Sequence, residues 1–276
     1  MRCGFVIPGG DVGTLVEVAV EIEAAGWDAV FVADMVYGTD PWVSLGAIGA
    51  RTSRVKLGTL LTPVSRRRPW KLASELATLD RLTNGRALLV AGLGAIDTGF
   101  DRVGEATDRK VRAQLLDEGL DLLAHFWSGK PFKYEGEHYK VDWGSDWLYT
   151  PVQQPRVPIW VVGAWPKLAT MRRAARWDGV VASTVTEDSS FVQPSPQEIR
   201  ALKSFIEEAR DGNGRTGPFD IVVEGLTPGD DPDKAAEVLG PLSEAGATWW
   251  IESMWTAPGG MEAVLERIRQ GPPQVR

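Results

Sequence analysis

The feature that most constrains this chain is a recurring pair of segments, a short apolar run followed by a longer stretch with apolar residues at helical spacing. Residues 3–7 read as a strand, and Leu15, Val18, Ala19 and Ile22 then share one helical face until Gly26 ends it. Further strands are expected at 29–33, 55–61 and 87–91, with helices at 42–51 and 70–82, the second stopped by Asn84-Gly85. After a longer interval come strands at 159–162, 179–182, 220–223 and 248–251, and helices at 167–176, 195–210, 233–245 and 261–270. Eight strand–helix units with strands apolar on both faces are what a closed (β/α)8 barrel, the TIM barrel, requires. A doubly wound open sheet is the competing architecture, but PGGDVG after the first strand lacks the GxGxxG dinucleotide fingerprint.

The rhythm breaks once, after the fourth strand. Residues 92–108 form a long loop, 110–127 a helix, and 131–141 (PFKYEGEHYKV) a small hairpin turning at Glu135-Gly136-Glu137, with a polar run out to Pro158. The expected organisation is one barrel domain over residues 1–276 with an insertion at about 95–157, and loops of this length are usually functional.

Composition narrows the function classes. Hydrophobic residues at 43% and charged residues at 24% describe a folded chain, and 30 basic against 37 acidic residues make nucleic acid and anionic membranes unexpected partners. The single Cys3 has no partner for a disulfide and suits a buried position in CGFVI. With no basic-flanked apolar leader and no run near the roughly 20 apolar residues of a membrane span, a cytoplasmic protein is expected. His125 and His138 fall in no HExxH or Cys/His spacing, so no metal site is expected, and both read as structural. The absence of GxSxG and GxxxxGK[ST] argues against hydrolases and kinases.

Barrel active sites lie at the C-terminal strand ends. Strand two delivers Asp34 and Met35 there, strand three Thr59, Leu60 and Leu61, and strand four Gly92, Leu93 and Gly94. Strand five delivers Gly163, Ala164 and Trp165, strand six Ser183 and Thr184, strand seven Glu224, and strand eight Glu252 with Trp255 beyond. This set is poor in nucleophiles and rich in glycine and apolar surface, which suits a large planar cofactor. The glycines would let backbone N–H groups approach an anion, helped by the helix after Pro166, although they equally serve tight βα turns.

The stretch RTSRVKLGTLLTPVSRRRPWKLASELATLDRLTNGRALLVAGLGAIDTGFDRVG at 51–104 resembles the central part of the bacterial luciferase-like flavin- or F420-dependent oxidoreductases. PIWVVGAWPKLATMRRAARWDGVVAS at 158–183, the opening GFVIP and AGWDAVFVAD at 25–34 are similar to the same family, in matching order over about the whole chain. The resemblance implies a bulge at the end of strand three, often with a non-prolyl cis peptide, supporting the cofactor's central ring at Thr59, Leu60 and Leu61. It implies that Gly92, Leu93 and Gly94, with Gly163, Ala164, Trp165 and Lys167, line the ribityl-phosphate side, and that the insertion covers the substrate side as a lid. A homodimer is the family's common state.

Two departures stand out. Many relatives carry a histidine after the aspartate of strand two, where this chain has Met35; after the strand-four glycines stands Ala95, with Asp97 two residues on. Asp34, Asp97, Glu224 and Glu252 are therefore the candidate catalytic acids, and a helix cap or salt bridge is the alternative role of each. The run Ser65-Arg66-Arg67-Arg68-Pro69 reads as a solvated basic face, or as a contact for an anionic cofactor tail. The expected function is an oxidoreductase using reduced FMN or coenzyme F420 for hydride transfer or monooxygenation of a small organic substrate. A flavin-binding or storage protein without catalysis is the alternative, and a non-redox barrel using Glu224 and Glu252 as an acid–base pair is a third reading.

Overall fold

The computed structural model describes residues 1–144 and 149–274, apart from the side chain of Asp97. The chain runs β1 (Arg2–Ile7), α1 (Val12–Ala24), β2 (Ala29–Val32), α2 (Pro41–Arg51), β3 (Lys56–Thr59), the two-residue β4 (Thr62–Pro63), α3 (Pro69–Leu82) and β5 (Ala87–Gly92). Next come α4 (Arg109–Trp127) and the hairpin of β6 (Phe132–Glu135) and β7 (Lys140–Trp143). The last part comprises β8 (Ile159–Trp165), α5 (Leu168–Ala175), β9 (Gly179–Val185), the short β10 (Phe191–Val192), α6 (Pro196–Asp211), β11 (Asp220–Gly225), α7 (Pro232–Ala245), β12 (Trp249–Ser253) and α8 (Gly260–Arg269).

Helices begin where the sequence can answer their free N–H groups. Asp11, Asp40, Asp108 and Asp231 each accept from the amide three residues on, and Ser195 with Glu198 forms a reciprocal capping box. Proline occupies the first turn of α2, α3, α6 and α7, where its missing N–H costs nothing.

Parallel ladders join β1, β2, β3, β5, β8, β9, β11 and β12 in that order, and β12 pairs back onto β1. The closed eight-stranded barrel expected from the pattern is the fold, and the open sheet is not. Barrel strand three departs from its expected span: it ends at Thr59, a cis peptide joins Leu60 to Leu61, and Thr62 and Pro63 resume pairing with Ala91 and Gly92. The hydroxyls of Thr59 and Thr62 are hydrogen-bonded at 2.6 Å across this bulge. Barrel strand five is longer than expected, because Gly163, Ala164 and Trp165 continue to pair with Ala182, Ser183 and Thr184.

The lower barrel is filled with aromatic rings. Trp160 and Trp249 meet at 5.1 Å between centroids, and Phe31 lies 6.1 Å from Trp160. Arg2 covers the Trp249 ring at 4.4 Å and pairs with Asp220 at 2.9 Å, while Asp220 also accepts from Trp160 Nε1 at 3.2 Å. Glycines make room for these rings: a Cβ on Gly4 would come within 2.7 Å of Phe31, and one on Gly179 within 2.5 Å of Trp160. The filled N-terminal end leaves the C-terminal end to carry a cavity. Cys3 is buried at this lower end, and burial pushes its thiol up to about 12, which keeps it protonated and unreactive.

The inserted hairpin lies along α4. The Glu118 carboxylate accepts the amide N–H groups of Glu137, His138 and Tyr139 at 2.8 to 3.1 Å, and His125 stacks on Phe132 at 5.0 Å. The chain re-enters the barrel at Gln153, whose backbone and side-chain N–H groups are held by the buried Asp80 at 2.9 and 2.6 Å. No helix among the described residues is long and apolar enough to cross a membrane.

Glu118 thus holds a turn that has no other charged anchor among the interactions described. Replacing it in Glu118→Ala is expected to speed amide exchange at residues 137–139 by at least about tenfold, equivalent to roughly 1.4 kcal/mol of local stability, with the barrel strands unchanged. Hydrogen exchange read by mass spectrometry checks it; uniform protection across the hairpin would contradict this anchoring role.

Candidate active site

A cavity of about 300 Å³ opens at the C-terminal end of the barrel strands. Its walls follow from strand alternation. Trp160 points into the barrel, so Val162 two residues on does as well; the same rule brings Val181 and Ser183 inward from β9, and Glu224 above Val222 from β11. Opposite Glu224 stands the bulge, with Leu60, Leu61 and Pro63 on the wall. Barrel strands three and seven are diametrically opposed in an eight-membered ring, so the bulge and Glu224 face each other across the mouth. Met35 and Trp255 complete the rim.

Gly92 and Gly94 serve the bulge. A Cβ on Gly92 would lie 2.8 Å from the Leu61 side chain, and one on Gly94 2.7 Å from the Phe100 ring and 2.8 Å from Pro63. Gly94 has φ of 75°, a second reason for glycine there. The buried Arg112 fixes this loop by donating from Nη1 to the carbonyls of Leu93 and Gly94, both at 3.0 Å. Of this set Gly94 borders the cavity, together with Ala95 and Thr98.

Asp34 lies in the cavity wall with its carboxylate fully committed. Arg67 donates to both of its oxygens at 2.9 Å, and Arg66 to Oδ1 at 2.6 Å. Arg66 Nη2 also reaches the carbonyls of Asp34 and Met35 at 2.9 Å, so the two arginines clamp the loop after β2. Burial works against the Arg67 charge, but Asp34 outweighs it and holds the guanidinium above its ordinary pKa. The solvated basic face expected for residues 65–69 is thus corrected: Arg66 and Arg67 turn inward, and Arg68 stays exposed. This pairing, which makes Asp34 an anchor, had no local sequence signal.

Glu224 is the opposite case. Its Oε2 is shut off from water and has no hydrogen-bond partner among the described residues. Burial pushes the carboxyl above its usual range, and the Trp255 indole opposes this only in part. Glu224 is thus a half-buried carboxyl at the cavity wall whose charged form is disfavoured and which has no cation beside it.

The remaining candidates lie elsewhere. Glu252 pairs in register with Gly225, whereas Glu224 pairs with Ile251, so the two carboxyls leave opposite faces of the sheet. Glu252 is buried against α8, where it accepts from Thr227 N–H and Oγ1, Trp250 Nε1 and Arg267 Nη2. The structure therefore does not assemble an acid–base pair of Glu224 and Glu252. Gly163, Ala164, Trp165 and Lys167 do not border the cavity either. Gly163 packs on Met171 and Val180, the Ala164 amide donates to Thr170 Oγ1 at 2.9 Å, Trp165 turns outward to Phe205, and Lys167 is exposed at the start of α5. Asp97 belongs to the short turn Ile96–Thr98, and its side chain lies outside the described residues. The hairpin stays on the flank of α4, so among the described residues the insertion contributes Ala95 and Thr98 to the cavity and no covering lid.

Two substitutions separate these carboxyls. Glu252→Ala leaves Arg267 buried without its counter-charge and is expected to cost about 3–5 kcal/mol in urea denaturation. For Glu224 the sign is reversed. Its folded pKa is raised, so the wild-type chain loses stability as pH rises from the unfolded value through the folded one. Glu224→Gln is expected to raise Tm by a few degrees at pH 8 and to leave it unchanged at pH 4, as read by calorimetry; a stabilisation equal at both pH values would count against a buried, partnerless carboxyl.

A sequence profile of the luciferase-like monooxygenase family matches residues 4–270. The F420-dependent glucose-6-phosphate dehydrogenase of Mycolicibacterium fortuitum is 33% identical over 279 residues, covering 87% of this chain and 80% of that protein. The enzyme of the same name from Nakamurella multipartita is 32% identical over 207 residues; the match takes in 71% of this chain and 58% of that protein, less than two thirds of its length. In fold, the coenzyme F420-dependent tetrahydromethanopterin reductase from Methanopyrus kandleri superposes with a TM-score of 0.78 at 19% identity, over 98% of this chain and 96% of that one. Profile and relatives agree on one conclusion: the chain belongs to the luciferase-like monooxygenase family.

Proposed function

We propose that the chain is an oxidoreductase that binds coenzyme F420 or FMN at the C-terminal mouth of the barrel and acts on a small organic substrate. The observation that carries this reading is the apolar cavity itself, walled by the Leu60–Leu61 bulge and faced by Glu224, whose Oε2 has no hydrogen-bond partner among the described residues. Its volume is at the low end for small-molecule sites, so it suits the reacting face of a planar ring with a small substrate and leaves the coenzyme's phosphate tail outside. The ring fits against Leu60 and Leu61, and the tail belongs outside, beyond Gly94 and Ala95. The names of the curated relatives favour F420 over FMN.

Such a coenzyme, when bound, supplies two-electron chemistry. The chain's own residues do the rest. Leu60, Leu61, Val162 and Val181 exclude water and orient the ring, the Asp34–Arg66–Arg67 clamp holds the rim at Met35, and Glu224, whose pKa burial raises, offers a proton-exchanging group at the wall opposite the bulge. Met35 and the fully paired Asp34 also favour a second reading, a coenzyme-binding protein without turnover. Exposed apolar residues on α2 and α3, Val43 and Trp70, support a homodimer, and a cytoplasmic site of action suits both readings.

Fluorescence titration with F420 and, separately, FMN tests the proposal. Saturable binding of one is expected, and Ser183→Phe, which fills the cavity from β9, should weaken it at least about tenfold without shifting Tm by more than a few degrees. Binding with no turnover across alcohols, aldehydes and ketones would favour the second reading; binding of neither coenzyme would refute both.

A further inference from the structure

We propose that the substrate taken at this site is an uncharged, largely apolar molecule with one carbonyl or hydroxyl oxygen, which Glu224 engages, and that phosphorylated substrates are excluded. This rests on the coenzyme reading above. With the ring against Leu60 and Leu61, the opposite wall is left for substrate, and there Glu224 stands beside Trp255, Val181 and Ser183.

Charge decides the class. Among the described residues that border the cavity there is no lysine, arginine or histidine. The guanidiniums of Arg66 and Arg67 lie behind the wall, turned to the shared Asp34 and, for Arg67, to Glu75 at 3.6 Å; Arg66 Nη1 has no hydrogen-bond partner among the described residues, and neither arginine borders the cavity. A phosphate placed here would give up its hydration with no cation in the lining to meet it, beside a carboxyl whose ionisation burial disfavours. A carbonyl or hydroxyl oxygen suits the site, because Glu224 Oε2 has no hydrogen-bond partner among the described residues and, when protonated, has a donor to offer. The rest of the wall, Leu60, Val162 and Val181, asks for hydrocarbon. The curated relatives are named for glucose 6-phosphate, so the cavity separates this chain from their named substrate.

The test uses the coenzyme-loaded protein at pH 6, with cyclohexanone, glucose 6-phosphate and inorganic phosphate as probes, and binding read by saturation-transfer NMR and calorimetry. Cyclohexanone is expected to bind at least about tenfold more tightly than glucose 6-phosphate, and phosphate should not displace it. Glu224→Leu should lose about tenfold in cyclohexanone affinity, whereas Glu224→Gln, whose amide still donates, should keep it within about threefold. The wild-type affinity should fall as pH rises and Glu224 ionises. Asp34 with its arginines is the other charged group at this wall, Ser183 and Trp255 being neutral, so the pH dependence should vanish in Glu224→Gln. Glucose 6-phosphate or phosphate binding as tightly as cyclohexanone, or Glu224→Leu binding cyclohexanone unchanged, would overturn the proposal. A protein that binds neither coenzyme defeats the functional reading instead; one that binds a coenzyme and prefers the phosphate ester defeats this inference alone.

Discussion

Every barrel strand has a hydrogen-bonded neighbour on each side, so the ring has no free edge along which a strand could slip its register. Inward and outward positions then alternate along the ladders, the bulge of barrel strand three excepted, and that alternation assigns roles to residues of identical chemistry. Glu224 and Glu252 sit on adjacent strands, one position apart in register. One becomes a carboxyl on a cavity wall with its Oε2 unpaired among the described residues, and the other the centre of a network with Thr227, Trp250 and Arg267.

The same ring divides the molecule by polarity along its axis. At the N-terminal end, Trp160, Trp249 and Phe31 occupy the volume, and Arg2 with Asp220 closes it to water. At the C-terminal end Val162, Val181 and Ser183 take the inward positions on β8 and β9 in place of such rings, and the cavity opens between them and the Leu60–Leu61 bulge. The rim is held from behind, by Arg66 and Arg67 on Asp34 and by Arg112 on the carbonyls of Leu93 and Gly94, so charges that never enter the cavity set its shape.

Much of this was legible in the sequence. Apolar period and turn residues located all eight barrel strands, because a strand buried on both faces leaves a continuous apolar run. The bulge fell where the family resemblance put it, at Leu60 and Leu61. The phase of the last strand was illegible for a definite reason: Trp249 and Trp250 are equally bulky, so neither marks the inside, and Glu252 could not be turned outward on paper. Glycines at 163 and 92 stay ambiguous between an anion loop and a tight turn on paper, because a missing Cβ looks the same whether it admits a ligand or a neighbouring Met171 or Leu61. The union of Asp34 with Arg66 and Arg67 spans a helix and a strand, and no local pattern announces it.

The seam of the barrel carries a kinetic consequence. The ladder that closes the ring matches Arg2 with Trp249 and Val6 with Ser253, residues nearly a whole chain apart. Both flanking strands stay open to solvent until the final strand has been made, and the entropy of bringing such distant segments together falls on the last step. Closure of the ring is therefore the late-committing step, with β1 and β11 the edges open to pairing with other chains until β12 is in place.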